Sequence, residues 1–146
     1  MCWELKKFAD LTTTVLHDIL KLRTDIFVVE QKCPYPEIDG KDPKSQHLMY
    51  WENDHIVAYS RLLPPGVSYE EASIGRVVVA KSHRKTGLGY QLLEQSIKAT
   101  LAQRNQPIKI GAQAHLESFY GAAGFIKVSD VYIEDDIPHI EMLRRI

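Results

Sequence analysis

The chain has 146 residues, 45% of them hydrophobic and 25% charged, with 18 Lys and Arg against 19 Asp and Glu for a formal charge of −1. That balance suits a single globular domain spanning residues 1–146, able to bury roughly two thirds of the surface its unfolded chain exposes. It gives no global field to recruit nucleic acid or an anionic membrane, and two cysteines without CxxC spacing support neither a disulfide framework nor a zinc site.

The N-terminal "MCWELKKF" lacks the apolar centre of a signal peptide, and no stretch approaches the roughly 20 apolar residues of a membrane span. A cytoplasmic protein with no membrane partner is expected. "CWELKKF" alternates in the manner of a first strand. Asp10 then offers an N-cap to a helix whose Leu11, Val15, Leu16, Ile19, Leu22 and Ile26 share a face, ending near Phe27 or Val28. Residues 30–44, "EQKCPYPEIDGKDPK", carry three prolines and no periodicity, and loops of that length in compact domains are usually functional.

"HLMYWE" and "HIVAYSRLL" flank Asn53 and Asp54 and predict an antiparallel hairpin. After the loop "PPGVSYEE", the continuous apolar run in "ASIGRVVVA" predicts a strand buried on both faces. A helix follows, bearing Leu88, Leu92, Leu93, Ile97 and Leu101 and ended by "NQP". Then come a strand "IKIGAQA", a short helix "HLESFYGAAG" stopped by Gly124, and two closing strands, "FIKVSDVYIED" and "IPHIEMLRRI". The order β-α-β-β-β-α-β-α-β-β describes an α+β fold, a mixed, mostly antiparallel sheet of about six to seven strands with helices on both faces.

The segment "HRKTGLGYQLLEQSI", beginning at His83, sets two glycines and two cations ahead of a helix. It is either a tight turn that starts the helix or a set of exposed N–H groups aimed at an anion such as a pyrophosphate. It has neither the Lys-Ser/Thr ending of a P-loop nor the third glycine of the dinucleotide fingerprint.

Two motifs together are more specific. "RVVVAKSHRKTGLGYQLLEQSI" resembles the acetyl-coenzyme A signature of the GNAT superfamily of N-acetyltransferases, Gln/Arg-x-x-Gly-x-Gly/Ala, standing here as Arg84, Lys85, Thr86, Gly87, Leu88 and Gly89. "QAHLESFYGAAGF", with Tyr120, Gly124 and Phe125, is similar to the family's second signature, and the stretches "FVVEQKCPYPEIDGKD" and "EDDIPHIEM" resemble its ElaA-like branch. The resemblance implies a GNAT fold over nearly the whole chain and acetyl-CoA as co-substrate.

It further implies that residues 74–80 splay from the strand ending at Gln113, with Val77, Val78 and Val79 pairing with the pantetheine arm. Amides from Lys85 through Tyr90 would hold the pyrophosphate, with added charge from Arg84 and Lys85. The N–H of Val77 or Val78 would meet the oxyanion, and Tyr120 would protonate the leaving sulfur, against the alternative that Phe119 and Tyr120 plug the core. Glu71, before the central strand, is one candidate base; Glu30, Glu37 and His115 are others, and each has a solvated or structural alternative.

The loop carries Glu30, Glu37, Asp39 and Asp42 against Lys32 and Lys41, which either attracts a cationic amine or is merely solvated. The acceptor is then a small primary amine or a lysine or N-terminal amine. Cys33 either lines that pocket or is a small buried hydrophobe. Six scattered histidines have no ligand spacing, so no metal is expected; His139 is open between packing and walling the site. The triplet Glu134, Asp135 and Asp136 reads as a solvated turn. A homodimer is compatible with the resemblance, since many such domains pair through sheet edges or helices.

Overall fold

The computed structural model describes residues 2–146. Strand β1, Cys2–Lys7, leads through one 3₁₀ turn to helix α1, Thr13–Thr24. The cap is Thr12 rather than Asp10: its hydroxyl accepts from the Val15 N–H at 3.1 Å, satisfying one orphan donor of the first turn. The helix then widens into a π segment, Asp25–Glu30. β2, Gln46–Glu52, and β3, His55–Leu63, form the expected hairpin, with Asn53 and Asp54 both at positive φ, as a tight twisted turn requires.

β4, Ser73–Val79, completes one four-stranded sheet in the order β1-β2-β3-β4, antiparallel throughout. Helix α2, Leu88–Gln103, follows, then β5, Ile108–Gln113, and the short α3, Glu117–Gly121. The stretch "FIKVSDVYIED" is two strands, not one: β6, Ile126–Lys127, and β7, Tyr132–Glu134. Both pair with β8, Ile137–Arg144, which also pairs with β5. The split adds one strand to the expected order.

Helices cover both faces. Ile19 of α1, fully buried, packs with Met49, Tyr59 and Val78 on one side of the first sheet. On the other side Leu88 and Leu92 of α2 meet Leu48, Val57 and Ala58, while Leu93 and Ile97 reach Ile108, Ile110, Ile140 and Met142 of the second sheet. Each fully buried aliphatic side chain contributes about 1.5–3 kcal/mol, so α2 fastens the two sheets together. Among the described residues no helix is long and apolar enough to cross a membrane.

Candidate active site

The two sheets meet at β4 and β5, and they meet almost only at one end. A single parallel bridge joins Ala72 to Ile108, with the Lys109 N–H donating to the Ala72 carbonyl at 3.0 Å. Beyond it the facing edges of the two strands make no further pairing, which opens a V-shaped slot. A bulge lies in the same stretch: Gly75 pairs with Arg61 and Val78 with Tyr59, leaving Arg76 and Val77 opposite Ser60 without partners. Arg76 takes φ +51°, which turns the backbone out of the ladder. Val78 points into the α1 core, whereas Val77 and Val79 are half-buried on the α2 side.

At the slot's open end the chain passes through Lys85 and Gly87, both at positive φ, into α2. Among the described residues the N–H groups of Lys85, Thr86, Gly87, Leu88, Gly89 and Tyr90 make no hydrogen bond; the first intrahelical donor is Gln91, to Gly87. Gly87 has open space where a side chain would stand. Six free amides at the positive end of a sixteen-residue helix fit a diphosphate anion. Arg84 is not among the free cations, because it pairs with Glu30 at 2.8 Å, whereas Lys85 is exposed and has no ion pair among the described residues. Thr86 donates to the His83 carbonyl, tightening the turn.

A cleft of about 140 Å³ lies in the slot and is lined by Gly75, Arg76 and Val77 of β4, Gln113 of β5, Tyr120 of α3, and His139 and Glu134 of the last hairpin. It adjoins a wider one of about 600 Å³ walled by Tyr35, Tyr69 and Tyr132. The Tyr120 ring is buried against Ile110, Phe125 and Phe119, but its hydroxyl finds no partner among the described residues. Burial pushes its pKa up to about 12, so the phenol stays a hydrogen-bond donor at physiological pH.

The acidic loop behaves unlike a recruiting surface. Glu37 is buried; its carboxylate accepts from Arg23 Nε at 2.7 Å, Arg76 Nε at 2.8 Å and the Tyr35 hydroxyl. Asp42 is shared by Arg23 and Arg61 at 2.8 and 3.0 Å, and Asp39 receives a two-pronged contact from Arg61. Burial alone would raise both aspartates, but the arginine hydrogen bonds outweigh it and hold Asp39 and Asp42 below the usual carboxylate range. Glu37, expected at the acceptor, therefore serves to position Arg76. Glu30 is tied to Arg84 and lines neither cleft. Cys33 is buried with its thiol donating to the Asp135 carbonyl; burial and the neighbouring Asp135 and Asp136 push its pKa up, so it packs rather than reacts.

Glu71 stands beside Ala72 at the closed end of the slot and lines neither cleft, and His115 is exposed outside both. Of the expected residues, the structure brings together Val77, Gln113 and Tyr120 in the cleft, with the six free amides following the open end of β4, but not Glu71, Glu30, Cys33 or Glu37. Among the described residues no group of three or more His, Cys, Asp and Glu side chains is arranged to hold a metal ion.

The model of the acetyltransferase (GNAT) domain matches residues 21–146. The chain belongs to the GNAT family. The protein ElaA of Escherichia coli is 42% identical over 147 residues, covering 99% of this chain and 96% of its own. The crystal structure of E. coli ElaA agrees with a TM-score of 0.93 at 40% identity, and that of an acyl-CoA N-acyltransferase from Pseudomonas aeruginosa with 0.93 at 47%, each pair covering 99% of both chains. This GNAT chain thus falls in the ElaA-like branch, and acyl-CoA-dependent acyl transfer is the chemistry of its family.

Arg76, Tyr35, Glu134 and Asp135 are among the cleft residues not singled out for chemistry by sequence. The turn Asp135-Asp136, both at positive φ, does more than face solvent, since it brings Glu134 and Asp135 to the cleft wall. An alternating "VYIE" and "IPHIE" around two aspartates is the hairpin signal that could have revealed this.

Proposed function

We propose that this protein is an acetyl-CoA-dependent N-acetyltransferase that passes the acetyl group to a primary amine by direct attack, with both substrates bound at once. One observation carries the reading: the unpartnered Tyr120 hydroxyl and the splayed edge of β4 share a cleft, and the chain leaving the open end of that same strand presents a row of free amides. Bound acetyl-CoA would supply the thioester. Its diphosphate fits the amides of residues 85–90, and its amide-rich arm fits the unpaired edge at Val77 to Val79 as an added strand does.

The bulge leaves Val77 without a register partner on β3, and its N–H is the backbone dipole suited to developing negative charge on the carbonyl oxygen. Tyr120 donates to the leaving sulfur. A phenol pushed up to about 12 is a weaker acid than a thiol of pKa about 8.5, so Tyr120 stabilises the departing thiolate through a shared proton rather than by surrendering it outright. Glu134 and Asp135 on the cleft wall favour a cationic amine as acceptor.

Calorimetry with acetyl-CoA, followed by thiol release against a panel of diamines, aminoglycosides and lysine peptides, tests the reading. Binding with release for at least one amine is expected. No binding at millimolar acetyl-CoA would defeat it, and binding with no release for any amine would leave a coenzyme-binding module instead.

A further inference from the structure

One titratable group of the cleft, a histidine, is neither held in the arginine cluster nor given a task in the proposed acyl transfer. His139, on β8, is 9% exposed yet lines the cleft beside Tyr120, Gln113 and Val77. Its Nδ1 lies 2.7 Å from the Ile137 carbonyl oxygen. A carbonyl only accepts, so Nδ1 carries the hydrogen and the neutral ring keeps its lone pair on Nε2. Nε2 stands 3.6 Å from a Glu134 carboxylate oxygen, too far for a good hydrogen bond but close enough to stabilise a positive ring. The ring is held in place by Tyr132, its register partner on β7, whose ring lies at 28° with centroids 6.0 Å apart.

We propose that His139 is the general base of the transfer, with Glu134 as the residue that positions and steadies its charged form. This rests on the N-acetyltransferase reading. The acceptor arrives as an ammonium; one N–H bond breaks, the proton passes to Nε2, and the nitrogen regains its lone pair. The C–N bond forms and the C–S bond breaks, and the further proton that the nitrogen loses passes to the sulfur, which leaves as the thiol while Tyr120 donates a hydrogen bond to it. Ammonium and thioester thus become amide, thiol and one proton, which His139 returns to solvent.

Charged and titratable groups line the two adjoining clefts around this ring, none of them from β5, whose Gln113 is the register partner of His139. They include Glu134 and Tyr132 on β7, Asp135 in the turn, Glu141 further along β8, Tyr120 on α3, Arg76 on β4 and Tyr35 in the loop. Arg76 is engaged by Glu37 and Asp39, Glu141 by Lys109, and Tyr35 by Glu37. Glu134 and Asp135 are left to set the field at Nε2.

The test compares wild type, H139Q and E134Q over a pH series with a cationic diamine as acceptor. Wild-type kcat/KM is expected to fall about tenfold per unit on the acid side, as for one titrating base. H139Q should lose about 100-fold near neutrality, lose that acid limb and keep its acetyl-CoA affinity. Added imidazole, or an acceptor amine already neutral at the assay pH, should restore much of the loss. E134Q should lower kcat/KM for the cationic diamine more than for an acceptor already neutral at the assay pH, at unchanged acetyl-CoA affinity.

An H139Q enzyme with the wild-type limb, or one rescued by neither imidazole nor a neutral amine, would overturn the assignment in favour of a packing role. Independently of turnover, ¹⁵N shifts of the histidine ring should report the hydrogen on Nδ1 at alkaline pH, and a hydrogen on Nε2 would sink the proposal. If wild type acetylates no amine, the acetyltransferase reading fails by itself while the ring measurement still judges His139.

Discussion

Tyr120 and Gly89 separate chemistry from folding at the scale of single residues. The Tyr120 hydroxyl has no partner among the described residues, so Tyr120→Phe should cost less than about 1 kcal/mol of stability. It should lower kcat by about 100-fold at unchanged acetyl-CoA affinity, and because burial pushes the phenol up to about 12 the loss should be the same from about pH 6 to 10. A loss that varied across that range would mean the hydroxyl ionises there. Gly87 is a poor probe of ligand access, since its φ of +83° makes any replacement strain the backbone. At Gly89 an added methyl would sit 3.6 Å from Phe119 and 3.9 Å from Val79, ordinary contacts at the slot mouth. Gly89→Ala should therefore leave the melting temperature unchanged or raised, while weakening acetyl-CoA binding about tenfold by calorimetry.

At the scale of elements, the loop 30–44 is held by ions rather than by a core. Arg23, fully buried on α1, reaches Glu37 and Asp42 through all three guanidinium nitrogens, and Glu37 in turn fixes Arg76 at the β4 bulge. Removing one member of such a cluster leaves its partners charged and buried, which costs about 3–5 kcal/mol. Arg23→Met should lose that much in urea denaturation and lower kcat as well, since Arg76 would no longer be anchored beside Val77. An unchanged urea midpoint would show the cluster to be dispensable. Helical spacing placed Ile19, Leu22 and Ile26 correctly on one face, but an arginine at position 23 looks like a solvated residue until the loop folds over it.

For the whole molecule, the buried groups make acid the vulnerable side. Burial holds His47 below its ordinary pKa despite its contact with the Asp42 carbonyl, so its contribution is present above about pH 6.5 and is lost as pH falls through its folded value. Asp39 and Asp42 are held down by Arg61 and Arg23, so theirs is present above about pH 4 and is lost below it. Melting temperature should decline in two stages from pH 8 to 3, and a maximum near pH 5 would contradict this. The sequence by itself determined the order of the main elements through α3, the hairpin at Asn53-Asp54, the glycine turn into α2 and the family, because these depend on local periodicity, turn chemistry and short motifs. Which carboxylates are free was decided only by tertiary structure. Glu37 and Asp42 read from the chain as open acids and are saturated by arginines 14 to 39 residues away in sequence, whereas Glu134 reads as a surface turn and faces the cleft. Charge availability depends on pairing across the fold, and pairing has no local signature.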